Sequence, residues 1–242
     1  MIANVNRIGR FTSSQIWKLM TDGRGENGLG APAITYIEEK RAERCLGRSI
    51  DLGAHSPALV WGKVMEVVGF EQEMGLDYSL CSTETITHPK YNFWSGSPDA
   101  RTVNKAVEMK CFYPKAYYEL SRDLMLEDLQ KIKANHKEIY WQVLSNSILL
   151  GLNKAEIIAF TPTEKQLIEV REKLLNTDFA MEKLGMKDWQ VRWIYEKELY
   201  ELPYIPGNIQ WPNCVKFEFD VPTEDVIALT KRVLLAEKML SV

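Results

Sequence analysis

The chain is 242 residues long, 45% hydrophobic and 26% charged, enough for one sizeable core with elaborations, and it carries no internal repeat or low-complexity segment. A net charge of −3 and a pI near 5.8 exclude a globally basic nucleic-acid binder and restrict any such surface to a local patch.

Arg7-Ile-Gly-Arg-Phe-Thr12-Ser-Ser14-Gln15 leads into Ile16-Trp-Lys-Leu-Met20, and Thr12 with Gln15 three residues on predicts a capping box and a helix beginning near Ser13. The free N–H groups of such a helix end would let Ser14, with Arg7 or Arg10 nearby, hold a phosphate. The alternative is an ordinary cap beside a solvent-facing arginine. The glycine-rich stretch 22–30 fits no Walker pattern and is expected to be mobile. Residues 33–46 read as a helix closed by Gly47, and Ser56-Pro57 as the N-cap and first-turn proline of a second helix over 58–72. In that helix Glu66 stands among Met65, Val67 and Val68. It belongs either on an exposed face or beside a metal as a third carboxylate.

Residues 77–88, 91–94 and 106–112 have β-type content and predict three adjacent strands of one sheet. Asp99 follows Gly96-Ser97-Pro98, Asn104-Lys105 offers a polar turn, and Glu108 and Lys110 lie two apart on a strand, hence on one face. Antiparallel arms would bring Asp99 and Glu108 together. Two carboxylates about 4 Å apart repel by roughly 4 kcal/mol at an effective dielectric of 20, a cost that a divalent cation removes. Hard oxygen ligands suit Mg²⁺, with Mn²⁺ as a substitute, and such an ion activates water and neutralises phosphate charge. Lys110 is placed to position the attacking water or stabilise the pentavalent phosphorus. The competing reading is a solvated hairpin with an ordinary Glu–Lys pair.

A helix running from Pro114 to about Lys133 with a solvated charged face comes next, then an apolar helix over 139–150 and a strand over 155–160. Gln142, among large apolar residues of that second helix, requires hydrogen-bond partners, in a core or in a site. Thr163 caps a helix over 164–175. The pattern around Trp189, Trp193 and Tyr195 does not decide a secondary structure, and core packing is its default. Residues 215–221 alternate as an edge strand and 223–239 form an amphipathic helix, either of which could support an oligomer contact. Cys45, Cys81, Cys111 and Cys214 form no Cys-x-x-Cys pair, which argues against zinc ribbons and iron–sulfur clusters and predicts reduced, mostly buried thiols. The first residues lack an apolar signal core and no apolar run reaches about 18 residues, so a cytoplasmic protein without membrane contact is expected.

Five segments in order, Arg7-x-Gly9-x-x-Thr12-x-Ser14, Gly62-x-x-x-Glu66, Ser97-Pro98-Asp99, Glu108-Met109-Lys110 and Tyr140-x-Gln142-Val143, resemble the PD-(D/E)XK nucleases. Within that superfamily they are most similar to the lambda-exonuclease-like (YqaJ-type) phage recombination exonucleases. The resemblance covers roughly residues 7–160 of a single nuclease domain, with 161–242 as a looser C-terminal elaboration. It implies an α/β, restriction-endonuclease-like core, a central mixed sheet flanked by helices. It further implies Asp99, Glu108, Glu66 and the Met109 carbonyl around a metal, Lys110 as the catalytic lysine, and Gln142 as part of the site. Arg7, Ser14, Ser97 and Gln142 would bind the terminal 5′-phosphate. The implied activity is Mg²⁺-dependent 5′ to 3′ digestion of one strand at double-stranded DNA ends. Partners implied are further copies of the chain, in a trimeric ring, and a single-strand-annealing recombinase. An endonuclease of the same fold and a catalytically silent DNA-end-binding module are the alternatives.

Overall fold

Local chemistry sets the long helices. Ser56 accepts the Leu59 N–H and Pro57 opens α2 (Pro57–Glu73), while Gly47 closes α1 (Ala31–Leu46) in the left-handed region at φ 63°. The computed structural model describes residues 7–240 apart from 26, 51–55, 76 and 82–84. The opening segment expected to lack a signal, and Ser82-Thr83-Glu84 of the first expected strand, lie outside the described residues.

The main sheet has five strands in the order β2 (Ser79–Leu80), β5 (Ala100–Arg101), β6 (Lys105–Lys110), β7 (Lys154–Phe160), β8 (Cys214–Asp220). β6 and β7 run parallel, from Lys105 opposite Lys154 to Lys110 opposite Ala159, and the other neighbours are antiparallel. A parallel pair needs a long crossover, here α3 (Pro114–Met125), α4 (Leu129–Asn135) and α5 (Lys137–Leu150). On one face, Ile157, Phe217 and Phe219 pack with Tyr140, Val143 and Leu144 of α5, and α1, a 3₁₀ helix (Ser13–Met20) and α9 (Thr223–Leu240) extend that core. On the other, Val107, Met109, Ile158 and Phe160 meet Trp61, Val64, Met65 and Val68 of α2. Residues of α6 (Glu164–Leu175), α7 (Thr177–Leu184) and α8 (Asp188–Glu196) complete this second core. Strand alternation divides Ile157 from Ile158 in this way. The result is the expected mixed α/β arrangement, a central mixed sheet between helices.

Several local expectations fail for physical reasons. The three strands do not share one sheet: β4 (Trp94–Gly96) joins β1 (Phe11–Thr12) in parallel and β3 (Ile86–Thr87) antiparallel in a separate three-stranded sheet. Pro98, which has no N–H to donate, lies where the chain leaves that sheet for β5. The Thr12–Gln15 capping box is absent, because Thr12 turns to the buried Tyr36 hydroxyl, which accepts its N–H at 2.8 Å. The helix over 114–133 is broken at Glu127, which adopts φ 53°, and Asp128 caps a new helix by accepting the Lys131 N–H. Its charged side is not simply solvated: Asp123 is 1% exposed and bonded to Arg122, Asn135 and His136. Within the glycine-rich stretch Asp22 bridges to Leu29, and Arg232 donates to Gly28 O at 2.7 Å and to Asp22. The segment with Trp189, Trp193 and Tyr195 is helical, as α8, with Trp193 and Tyr195 against the second core and Trp189 exposed. All four cysteines are free, but Cys111 alone is buried.

Candidate active site

The two central strands are covered on both faces, which explains their near-continuous apolar runs and makes Glu108 conspicuous: it is fully buried in the middle of β6. A buried carboxylate requires partners, and alternation aims it at α5. There Gln142 and Asn146, one helical turn apart, take one oxygen each. Gln142 Nε2 donates to Glu108 Oε1 at 2.5 Å and Asn146 Nδ2 donates to Oε2 at 3.0 Å. Lys110 Nζ also donates to Oε1, at 2.7 Å, and to Gln142 Oε1 at 3.2 Å. The β5–β6 register, Ala100 opposite Val107, sets Asp99 beside this pair, and its Oδ2 accepts the Met109 N–H at 2.8 Å.

Glu66 reaches the same group from α2. Burial, then the Glu108 charge, raises its carboxyl from 4.5 to about 7, with Lys110 opposing. Burial also raises Asp99 well above the usual carboxylate range, helped by Glu108 and Glu66. For Lys110 burial works against the ammonium, but Glu108 and Asp99 outweigh it and its affinity for the proton rises. Glu66, Asp99, Glu108 and Lys110 thus share one electrostatic neighbourhood, three acids against one lysine, in which burial first and the neighbouring acids second make Glu66 and Asp99 hold protons more tightly than free carboxyls do.

As the side chains stand, no three His, Cys, Asp or Glu residues among the described ones gather tightly enough to grip a metal ion. Lys110, Gln142 and Asn146 occupy the Glu108 oxygens instead. The donor chemistry nevertheless fits a hard divalent cation: carboxylate oxygens, two of the acids raised in proton affinity by burial and then by their neighbours' charge, with a lysine standing where positive charge is needed.

Of the other expected residues, Met109 has its side chain in the second core and its N–H on Asp99. Arg7 is exposed and reaches Ser14 Oγ at 3.4 Å, whereas the Ser97 hydroxyl lies 3.3 Å from that of Thr85. Backbone packing brings the two serine segments together: a Cβ on Gly96 would lie 2.2 Å from Ser13 Oγ. Arg10 bonds to Thr87 instead, at 2.6 Å. Sequence reasoning missed Asn146 and the buried link in which Ser145 Oγ meets Ser13 Oγ at 2.8 Å and accepts Trp94 Nε1 at 2.9 Å. The signal was the polar triplet Ser145-Asn146-Ser147 within an apolar helix.

No protein-family model and no curated protein matches the sequence. Solved structures do. An alkaline exonuclease from Laribacter hongkongensis, LHK-Exo, superposes with a TM-score of 0.62 at 12% identity over 97% of this chain and 89% of its own. Its complex with dAMP gives 0.64 at 12% identity, over 98% and 90%. A phage-related exonuclease from Haemophilus somnus 129PT gives 0.57 at 13% identity, over 96% and 93%. What the chain shares with these exonucleases, over nearly its whole length, is their fold.

Proposed function

We propose that the protein is a metal-dependent deoxyribonuclease acting at the ends of duplex DNA. The carrying observation is the cluster of Glu66 on α2, Asp99 just before β5 and Glu108 on β6 around Lys110, in a fold shared with exonucleases. A divalent cation, Mg²⁺ or Mn²⁺, held by Asp99 and Glu108 with Glu66 beside it, would neutralise the phosphate and lower the pKa of the attacking water. Lys110 holds a proton and a positive charge at the site, so it stabilises charge that grows on phosphorus in the transition state. Gln142, bonded to both Lys110 and Glu108, keeps that lysine aligned.

Water adds to phosphorus and the bond to the 3′ oxygen breaks, leaving a nucleoside 5′-monophosphate and a new 5′-phosphate end. LHK-Exo has been crystallised with such a monophosphate, dAMP, which supports this product class here. Direction would come from Arg7 and Ser14 at the start of the 3₁₀ helix and from Ser97. A terminal phosphate carries nearly two charges against one for an internal diester, and a guanidinium beside hydroxyls discriminates between them.

The test is digestion of linear and covalently closed plasmid with Mg²⁺, Mn²⁺ or EDTA, using 5′-phosphorylated and 5′-hydroxyl ends. Loss of linear DNA only, with metal, and faster from 5′-phosphate ends, is the expected result; Asp99→Ala should abolish it. Cutting of closed circles would make the protein an endonuclease, and DNA binding without cleavage would make it an end-binding module.

A further inference from the structure

Asn146 belongs to none of the motifs that pointed to the site, yet among the described residues it is the side chain that donates to Glu108 Oε2, at 3.0 Å, with both residues fully buried. Its amide orientation is dictated by chemistry. An ionised carboxylate only accepts, so the nitrogen must face Glu108. That choice leaves Asn146 Oδ1 buried without a hydrogen-bond partner. A core amide kept for packing would pair both ends, so this one is arranged around the acid at the expense of its own oxygen.

The surroundings hold it there. A Cβ on Gly96 would come within 2.5 Å of Asn146 Oδ1, so the glycine gives the amide its room. The preceding Ser145 is tied to Ser13 and Trp94, which fixes the turn of α5 that carries Asn146. The two oxygens of Glu108 are therefore unequal: Oε1 meets the partly exposed Lys110 and Gln142, and Oε2 meets a fully buried amide.

Resting on the nuclease reading, we propose that Asn146 is a positioning residue, fixing the plane of the Glu108 carboxyl through Oε2 so that this acid is held in the orientation in which it would meet the cation. Such outer partners of metal-ligating carboxylates typically change metal affinity or turnover by 10–100-fold when removed.

The experiment measures Mn²⁺ binding by electron paramagnetic resonance on DNA-free protein, with kcat and KM on linear duplex, for Asn146→Ala and Asn146→Leu. Ser147→Ala, a buried neighbour on α5 bonded to Val143 O, is the control. Both Asn146 variants should bind Mn²⁺ roughly 10-fold more weakly and lose kcat with KM for DNA nearly unchanged, while the control matches wild type. Leucine keeps the branched shape without the donor and carries the test if alanine does not fold; failure of both to fold would make Asn146 a core residue and overturn the proposal. A folded variant that binds Mn²⁺ and turns over like wild type sinks the inference alone. A wild type with neither Mn²⁺ binding nor cleavage removes the nuclease reading and the inference with it.

Discussion

Glu66 sits at the edge of its own preference. Held partly buried on α2 and facing Glu108, its carboxyl titrates near 7 where an isolated one titrates at 4.5. An acid with a raised folded value binds more protons in the native state than in the unfolded chain, so native stability falls as pH rises through this window. We predict that Glu66→Gln, which removes the charge and keeps the shape, stabilises the metal-free protein by about 1–3 kcal/mol at pH 8 and changes little at pH 4. Thermal unfolding with EDTA at the two pH values checks this, and an equal effect at both would mean that Glu66 does not titrate between them. Wild-type affinity for Mn²⁺ should rise across the same window, because the ion must displace a proton.

The α3–α4 junction illustrates what an element boundary can hide. Leu126-Glu127-Asp128 contains neither glycine nor proline, so periodicity alone carries a helix straight through it, and the break at Glu127 is imposed by the partners waiting beyond. Asp123 is what they gather around: Arg122 lies at 2.9 Å, Asn135 at 2.9 Å, His136 at 3.2 Å and Lys131 at 3.4 Å. Burial opposes the ionised carboxyl, but these hydrogen bonds hold it far below the ordinary range. A depressed acid stabilises the fold above its unfolded value, near 4, and that contribution disappears as pH falls toward the folded one. Asp123→Asn should therefore lower stability at pH 7 by about 1–3 kcal/mol and make the remaining stability less acid-sensitive between pH 5 and 2, read from urea midpoints.

Elements whose caps and periodicity are local, α1, α2, α5, α6, β6 and β7, were legible in the sequence. The partner of β4 was not, since Trp94 pairs with Phe11 far away in sequence and nothing near either residue announces the other. The site divides in the same way. The spacing of Asp99, Glu108 and Lys110 reports a hairpin and its shared face, while the position of Asn146 depends on how α5 docks, and a polar residue in an apolar helix reads the same whether it satisfies a core or holds an acid.

At the scale of the molecule, the last helix closes the first core. Leu229, Val233 and Ala236 of α9 are fully buried, Arg41 donates to Met239 O at 2.6 Å, and Arg44 grips Glu237 through both its terminal nitrogens at 3.0 and 2.6 Å. The 3₁₀ helix carrying Ser14 packs on both α1 and α9. Ending the chain at Val221 would strip apolar cover from the helices that support Arg7 and Ser14. We predict a protein that unfolds at least 10 °C lower, with several kcal/mol lost from three buried side chains, as measured by calorimetry.

The pairing of β7 has a consequence for how the chain is made. Six of its seven residues are buried, one edge is taken by β6, and the other awaits β8, which leaves the ribosome roughly 50 residues later, several seconds at ordinary elongation rates. During that interval a nascent chain presents an apolar strand with an unpaired ladder, the kind of edge that recruits other chains. Slow translation through 161–213, or ribosomes stalled there, should then turn soluble product into inclusion bodies at unchanged sequence.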